Sequence, residues 1–430
     1  MNKNHLNPIF SLLFITLSIN LIQYYGLANY SWLKPAGIFN FELVFAFFII
    51  VFSRAWGILV LMMAVLGIIL EIIASVYFTD PKALLFSFNE ITFSLLWVNR
   101  FWLLGSTLFT LCIVWLAVRT KSFNKSKDAF RIVVFFLVIY TGDVLNGTSS
   151  LSLGWASRIL PNIVYSTSSP ILRDFLITKP SFPGNLVDSA SGIYLDNFHN
   201  TKSLSKRNII LIVVESLGAP SLDSNSNYGY GDFEKELQSF NLLKRGLIPF
   251  HGSTTWSEIR ERFGLKGAYP IPQDLLSRSL MFKLRREGYY TAGFHSYRGS
   301  MFNRSYWWPK EGFQETVFME NRIDQYPLHF GVFTTLNDEE MLGGEICRLL
   351  SKTPYFMYFL CSNTHFPTSE NPKVFLEQGL LRLTKKIALL EKEGILTNAD
   401  LIIVGDHAPP IPSNLFDPTR VPYWILRTKN

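Results

Sequence analysis

Five apolar stretches near residues 9–28, 38–53, 56–78, 101–118 and 129–146 constrain this chain's fold more than any other feature. Each is about long enough, with tilt, to cross a hydrocarbon core of about 30 Å. The second is short and the last contains Asp143, but together they predict an α-helical transmembrane domain of about five helices over residues 1–146. The first stretch resembles a secretory signal. Gly26-Leu27-Ala28 is a weak cleavage site, however, and four more spans follow, so it reads as a retained helix. Basic residues orient the bundle. Arg119, Lys121, Lys125, Lys127 and Arg131 crowd the loop after the fourth span, which the positive-inside rule assigns to the cytoplasm. Counting back, Arg54 and Lys3 are inside, and the 79–100 loop with Asp80 and Glu90 is outside; Lys34 is a minor exception. Counting forward, everything after the fifth span is outside.

The averages over 430 residues, 48% hydrophobic and only 17% charged, hide this division. Residues 200–430 have the composition of an ordinary globular domain. The net charge of +7 sits largely in membrane-flanking segments and calls for no nucleic-acid partner. Cys112, Cys347 and Cys361 have neither metal-site nor disulfide spacing. Residues 147–207 read as a connector. Leu151, Leu153, Trp155, Ile159 and Leu160 form either a short interfacial helix or a plain amphipathic linker, and Pro180, Pro183 and Gly184 break regular structure after them.

From 208 to 430 short apolar runs alternate with helical stretches. Asn208–Val214 is an unbroken β-branched run, as in a strand buried on both faces. Leu275, Leu276, Leu280 and Leu284 make a helical stripe ending at Gly288, and Tyr289–Phe294 reads as a strand. Asp338–Lys352 is a predicted helix, Tyr355–Leu360 a strand, Val374–Glu393 a helix closed by Gly394, and Leu401–Val404 a strand. The alternation predicts an α/β domain with a mainly parallel sheet.

Chemistry-bearing residues follow the strands. Val214 leads into Glu215, Phe294 into His295, Leu360 toward His365, and Val404 through Gly405 to Asp406 and His407. Any one alone reads more readily as a solvated loop residue. In open α/β sheets, however, sites form at the carboxyl ends of strands, and four strands here deliver carboxylates and imidazoles to one edge. Glu215, Asp406 and His407 are ligand types that hold Zn²⁺, Mn²⁺ or Mg²⁺. Thr255 and Glu258 fit a capping box opening a helix through Ile259 and Phe263, which explains both without chemistry. The same reading places Thr254 at a helix N-terminus, where amides and the dipole attract phosphate. A threonine hydroxyl needs a metal or base to become a nucleophile, and the three ligands nearby supply the means.

These residues resemble the sulfatase/alkaline-phosphatase-like superfamily. They are most similar to its membrane phosphoethanolamine and phosphoglycerol transferases, including lipoteichoic acid synthases. The strand and glutamate of IILIVVESLG, the threonine of GSTTWSE and the late GDHAPP carry the resemblance. It implies an alkaline-phosphatase-like fold and one divalent ion, Zn or Mn, on Glu215, Thr254, Asp406 and His407, with Thr254 as the nucleophile. By the same resemblance NTHFP and FHSYRGSMFNRSYW put His365, His295, Asn303 and Arg304 against substrate. The implied reaction moves a phosphoryl-linked head group from a phospholipid donor to a glycan or lipid acceptor of the envelope, through a phosphothreonine. The implied location is the bacterial cytoplasmic membrane, with the catalytic domain on the periplasmic or extracellular side.

The chain departs from the family in three ways. The 208–430 region is short, no histidine follows His407 (which favours a single metal), and Phe302 stands where the lipoteichoic branch has tryptophan. True sulfatase activity requires Cys/Ser-x-Pro-x-Arg, which is absent from the chain. A membrane-anchored phosphodiesterase or phosphatase, and a non-catalytic envelope-assembly protein retaining the fold, are the alternatives.

Overall fold

In chain order the globular unit runs α1 (Ala190–Asn197), β1 (Asn208–Val214), β2 (Ala219–Pro220), α2 (Gly231–Glu236), β3 (Asn241–Pro249), α3 (Thr254–Phe263), α4 (Gln273–Leu276), α5 (Leu280–Arg286), β4 (Tyr290–His295), α6 (Arg304–Lys310), β5 (Glu315–Val317), β6 (Leu328–Phe330), β7 (Thr334–Leu336), α7 (Asp338–Leu349), β8 (Tyr355–Leu360), α8 (Pro372–Lys392), β9 (Ala399–Gly405), β10 (Phe416–Asp417) and β11 (Arg420–Arg427). This computed structural model describes residues 184–199, 206–220, 231–250, 254–267, 269, 271–330, 333–365, 372–409, 416–417 and 419–429. Of the N-terminal part it describes 49–50, 52–53, 55–63, 130 and 134. The chain divides into two compact units, and Phe182–Asn430 belongs to the second. In the first, residues 55–63 are helical. Among the described residues no helix is long and apolar enough to cross a membrane. The five expected spans lie mostly outside the described residues, and the interfacial helix near Trp155 lies wholly outside them.

One sheet of seven strands, in the order β3-β11-β9-β1-β8-β4-β5, organises the globular unit. From β9 to β5 all neighbours are parallel, while β11 runs antiparallel to both β9 and β3. All seven residues of β1 and all six of β8 are buried, because helices cover both faces and leave no polar side for alternation. Burying each Ile or Val in such a strand contributes about 1.5–3 kcal/mol relative to exposure. On one face Ile210, Ile212 and Val214 pack with Met341 and Ile346 of α7, Leu380 and Ile387 of α8, and Phe233 of α2.

Three expectations need correction. The leucine stripe at 275–284 is two helices, because Ser277-Arg278-Ser279 interrupt it and the Ser279 hydroxyl accepts from Phe282 N to cap α5. The antiparallel strands β3 and β11 were not expected. Finally, part of the expected connector belongs to the globular unit. Leu186 bridges to Leu265, Ser191 Oγ donates to Glu261 O at 2.5 Å, and Tyr194 donates to the buried Asp400 at 2.9 Å. These contacts bury Ala190 and Tyr194, so residues 184–199 pack on the globular unit.

Candidate active site

The sheet order decides which residues meet. β9, β1, β8 and β4 are consecutive neighbours, so Asp406 and His407, Glu215, His365 and His295 emerge side by side along one edge. Val214 pairs in register with Gly405, which places Glu215 directly beside Asp406. A tight turn follows each of these strands. Ser216 is left-handed at φ 58, and this aims its amide at Asp406 Oδ1, 2.6 Å away. A Cβ on Gly405 would lie 2.0 Å from Leu217 O, and one on Gly218 would lie 2.9 Å from Ala408 Cα. Only glycine lets the two turns approach this closely.

Asp406 divides its two oxygens between two tasks. Oδ1 accepts from the amides of Ser216 and His407, at 2.6 and 2.5 Å, and Oδ2 faces Thr254. The Thr254 hydroxyl, on the first residue of α3, lies 3.0 Å from Asp406 Oδ2 and 3.1 Å from Glu215 Oε2. Ser257, one turn along α3, donates to Asp406 O at 2.6 Å, and Thr364 donates to Glu215 O at 2.6 Å. Those two hydroxyls went unnoticed in the sequence, although Ser257 lies inside the same short motif as Thr254.

His407 Nδ1 lies 2.7 Å from Ala408 O and therefore carries its proton there, leaving the Nε2 lone pair to face inward. Nε2 is 3.2 Å from Glu215 Oε1 and 3.4 Å from Asp406 Oδ2. Ligand atoms of Glu215, Asp406 and His407 all lie within 4.8 Å of one another and are buried. Acceptors converging at such distances require positive charge between them, supplied either by an extra proton or by a cation. The ionisation of the cluster shows the same demand. Burial acts to raise the Glu215 carboxyl, yet His365 and His407 hold it below the usual carboxylate range. Burial, with the Glu215 charge beside it, pushes Asp406 up to about 8. Burial would lower His407, but Asp406 and Glu215 carry it up to about 9. Two carboxylate oxygens, one imidazole nitrogen and a hydroxyl form a donor set that fits Zn²⁺ or Mn²⁺.

The other expected site residues fall into three groups. His365 Nε2 is 3.9 Å from Glu215 Oε1, and its ring meets Phe333 edge-on at 4.8 Å. His295 and Arg304 are brought together, at 4% and 2% exposure, with Arg304 Nη1 3.1 Å from His295 Nε2. Burial and the Arg304 charge keep His295 neutral, well below the usual imidazole range. Asn303 is exposed and left-handed at φ 56, and its side chain makes no cap bond to α6.

The capping box is a further correction. α3 begins at Thr254, not after Thr255, and Glu258 does not fold back on the helix start. Glu258 is fully buried. Its Oε1 accepts from Arg304 Nε at 2.9 Å and pairs with Arg304 Nη2 at 2.8 Å, and its Oε2 accepts from Trp308 Nε1 at 3.1 Å and pairs with Arg262 Nη2 at 3.0 Å.

No family model matches the chain, and no curated protein matches it. Solved structures of similar fold exist. The lipoteichoic acid synthase LtaP from Listeria monocytogenes is 14% identical over 55% of this chain and 71% of its own, with a TM-score of 0.40. The phosphoglycerol transferase GacH of Streptococcus pyogenes, in complex with sn-glycerol-1-phosphate, is 17% identical over 56% of this chain and 72% of its own, also at 0.40. A protein of the alkaline phosphatase superfamily from Vibrio parahaemolyticus is 15% identical over 58% of this chain, which spans 65% of that protein's length, again at 0.40. Each is a likeness of fold at low identity, so the chemistry below rests on the residues described above.

Proposed function

We propose that the globular unit catalyses divalent-metal-dependent phosphoryl transfer through a covalent Thr254 intermediate, moving a phosphoethanolamine or phosphoglycerol head group from a phospholipid to an envelope glycan or lipid. One observation supports this reading above the others. The Thr254 hydroxyl stands at a helix start and contacts both carboxylates of a convergent acceptor cluster. A serine or threonine that merely caps a helix turns its oxygen to the helix's own amides. This hydroxyl instead donates outward, to Glu215 and Asp406.

Glu215, Asp406 and His407 would hold the ion, with Thr254 Oγ1 as the fourth donor. When bound, a divalent ion supplies Lewis-acid chemistry that favours the alkoxide of threonine and polarises a phosphoryl oxygen. The remaining steps belong to the chain. Thr254 Oγ1 attacks phosphorus, the bond from phosphorus to the diacylglycerol oxygen breaks, and the departing oxygen takes up a proton. The amides of the first turn of α3 face the incoming phosphate. A hydroxyl of the acceptor then attacks the same phosphorus and returns the oxygen to Thr254. His365 and Arg304 would offer hydrogens to the phosphoryl oxygens. The site lies outside the cytoplasmic membrane, on a chain anchored by the spans of residues 1–146.

Intact-mass analysis tests this directly. The full chain in detergent, incubated with labelled phosphatidylethanolamine or phosphatidylglycerol, should gain one head group that maps to Thr254. Thr254→Ala should fold, gain nothing and transfer nothing, while Thr254→Ser should keep part of both. Label on Thr254→Ala would remove the covalent mechanism. Reporter fusions at the C-terminus and near Lys125 should report opposite sides of the membrane, and the same side for both would break the five-span topology.

A further inference from the structure

Helix α3 carries the candidate nucleophile and, four residues on, a buried carboxylate that the proposed chemistry does not use. Side chains at i and i+4 share a helix face, so Thr254 and Glu258 lie one above the other. The first contacts Glu215 and Asp406, and the second holds Arg304. Arg304 Nε and Nη2 converge on the same oxygen, Glu258 Oε1, and its Nη1 reaches His295 Nε2 at 3.1 Å. His295 Nδ1 lies 3.1 Å from Leu360 O and carries its proton there, so Nε2 accepts from Arg304 and has no hydrogen to offer an anion. The anion donor of the pair is therefore Arg304, whose second Nη2 hydrogen has no partner among the described residues. Glu258 also faces Arg262 and Trp308 through Oε2, so its single negative charge is divided between two guanidinium groups. Arg304 is thus held in place without being fully neutralised.

Resting on the phosphoryl-transfer reading, we infer that Glu258 is a positioning residue: it locks Arg304 in register with Thr254 from one turn along the same helix and sets how strongly Arg304 attracts the phosphoryl group. His295 completes the lock from the other side, as an acceptor that fixes the guanidinium plane.

A double-mutant cycle on the full chain in detergent tests this. Binding of sn-glycerol-1-phosphate is measured by calorimetry, and turnover is followed with bis(4-nitrophenyl) phosphate. Glu258→Gln keeps the shape of the side chain but removes its charge. It should bind glycerol phosphate about threefold to tenfold more tightly, because Arg304 loses its counter-charge, while kcat falls about tenfold or more as the aim of Arg304 is lost. Arg304→Gln should weaken binding about tenfold, and on that background Glu258→Gln should change affinity less than about twofold. A purely structural glutamate would lower the folded fraction and kcat while leaving affinity alone, and that pattern would overturn the inference. So would a Glu258→Gln effect on affinity of the same size with and without Arg304.

Should Glu258→Gln not fold, Arg304→Lys serves in its place. A lysine keeps the charge but cannot span Glu258 and His295 together, so affinity should stay within about threefold while kcat falls at least about tenfold. Wild-type turnover in that variant would overturn the inference. A wild-type chain that neither binds glycerol phosphate nor cleaves the diester would instead remove the phosphoryl reading, a failure distinct from an additive cycle.

Discussion

Two buried polar clusters hang from α3, one at its first residue and one a turn later, and they are built on opposite logic. In the first, acceptors face acceptors: Glu215, Asp406 and His407 Nε2 crowd within 4.8 Å with few hydrogens to share. In the second, cations face anions. Arg262 reaches Glu258 and Glu311, each at 3.0 Å, contacts Tyr269, and lies 5.3 and 5.1 Å above the rings of Trp308 and Tyr358. Both clusters are buried and both are charged. Burial and charge therefore do not by themselves distinguish chemistry from architecture; the pairing of cation with anion does.

Variants in each cluster test the contrast. His407→Ala removes a ligand from the unmatched cluster. The loss of metal affinity should exceed the 10–100-fold typical of supporting residues, with turnover abolished and far-ultraviolet dichroism retained. Full metal occupancy by plasma emission spectrometry would show that the cluster does not bind metal through His407. Arg262→Met breaks the matched cluster and leaves Glu258 and Glu311 without a shared counter-charge. The expected cost is about 3–5 kcal/mol of stability, read from the denaturation midpoint, with metal per folded molecule unchanged. Loss of metal at unchanged stability would reverse the two assignments.

The matched cluster also carries a pH signature. Burial, opposed by Arg262 and aided by Glu258, raises the Glu311 carboxyl to about 7 from 4.5. The folded state then holds a proton that the unfolded chain has released between those values. Stability from this group is full below about 4.5 and falls as pH rises through 7, by on the order of 3 kcal/mol. Glu311→Gln should flatten that slope in denaturation midpoints taken at pH 5 and pH 8. An unchanged slope would show that Glu311 titrates as an ordinary carboxyl. The smallest effect is expected at Thr255. It is the second residue of α3 and not its cap, so Thr255→Ala should cost about 1 kcal/mol or less and leave the adduct on Thr254 intact. A loss of labelling in this variant alone would mean that the two threonines had been assigned in the wrong order.

The unmatched cluster was legible in the sequence because parallel buried strands read as unbroken apolar runs, and each residue following such a run points to the same edge. Asn208–Val214 and Tyr355–Leu360 match the observed strands end for end; Glu215 follows the first, while Asp406 and His407 follow β9, expected at Leu401–Val404 and observed over Ala399–Gly405. The matched cluster was not legible. Glu258 satisfied a local rule, the capping box with Thr255, while its true partner Arg304 lies 46 residues away and has no periodic relation to it. The antiparallel edge escaped for a different reason. β3 reads NLLKRGLIP, exposes most of its length and has neither apolar continuity nor alternation, while β11 carries Pro422, which argues against a strand inside a sheet. Proline is tolerated there because β9 pairs only with Tyr423–Arg427, leaving Pro422 opposite Leu247 of β3 alone.

The contact of Gly405 with Leu217 has a thermodynamic consequence. The turns after β1 and β9 are held together by backbone contacts and by the Ser216 amide on Asp406, none of which involves an ion. The ligand geometry is thus part of the fold, and loading does not have to assemble it. In a zinc finger the binding energy is the folding energy, and chelation unfolds the domain. Here ion exchange should proceed within the native basin, and an ion should add stability only by mass action, as RT ln(1 + [M]/Kd). Chelation should therefore silence this protein without melting it, and refilling should restore it without refolding.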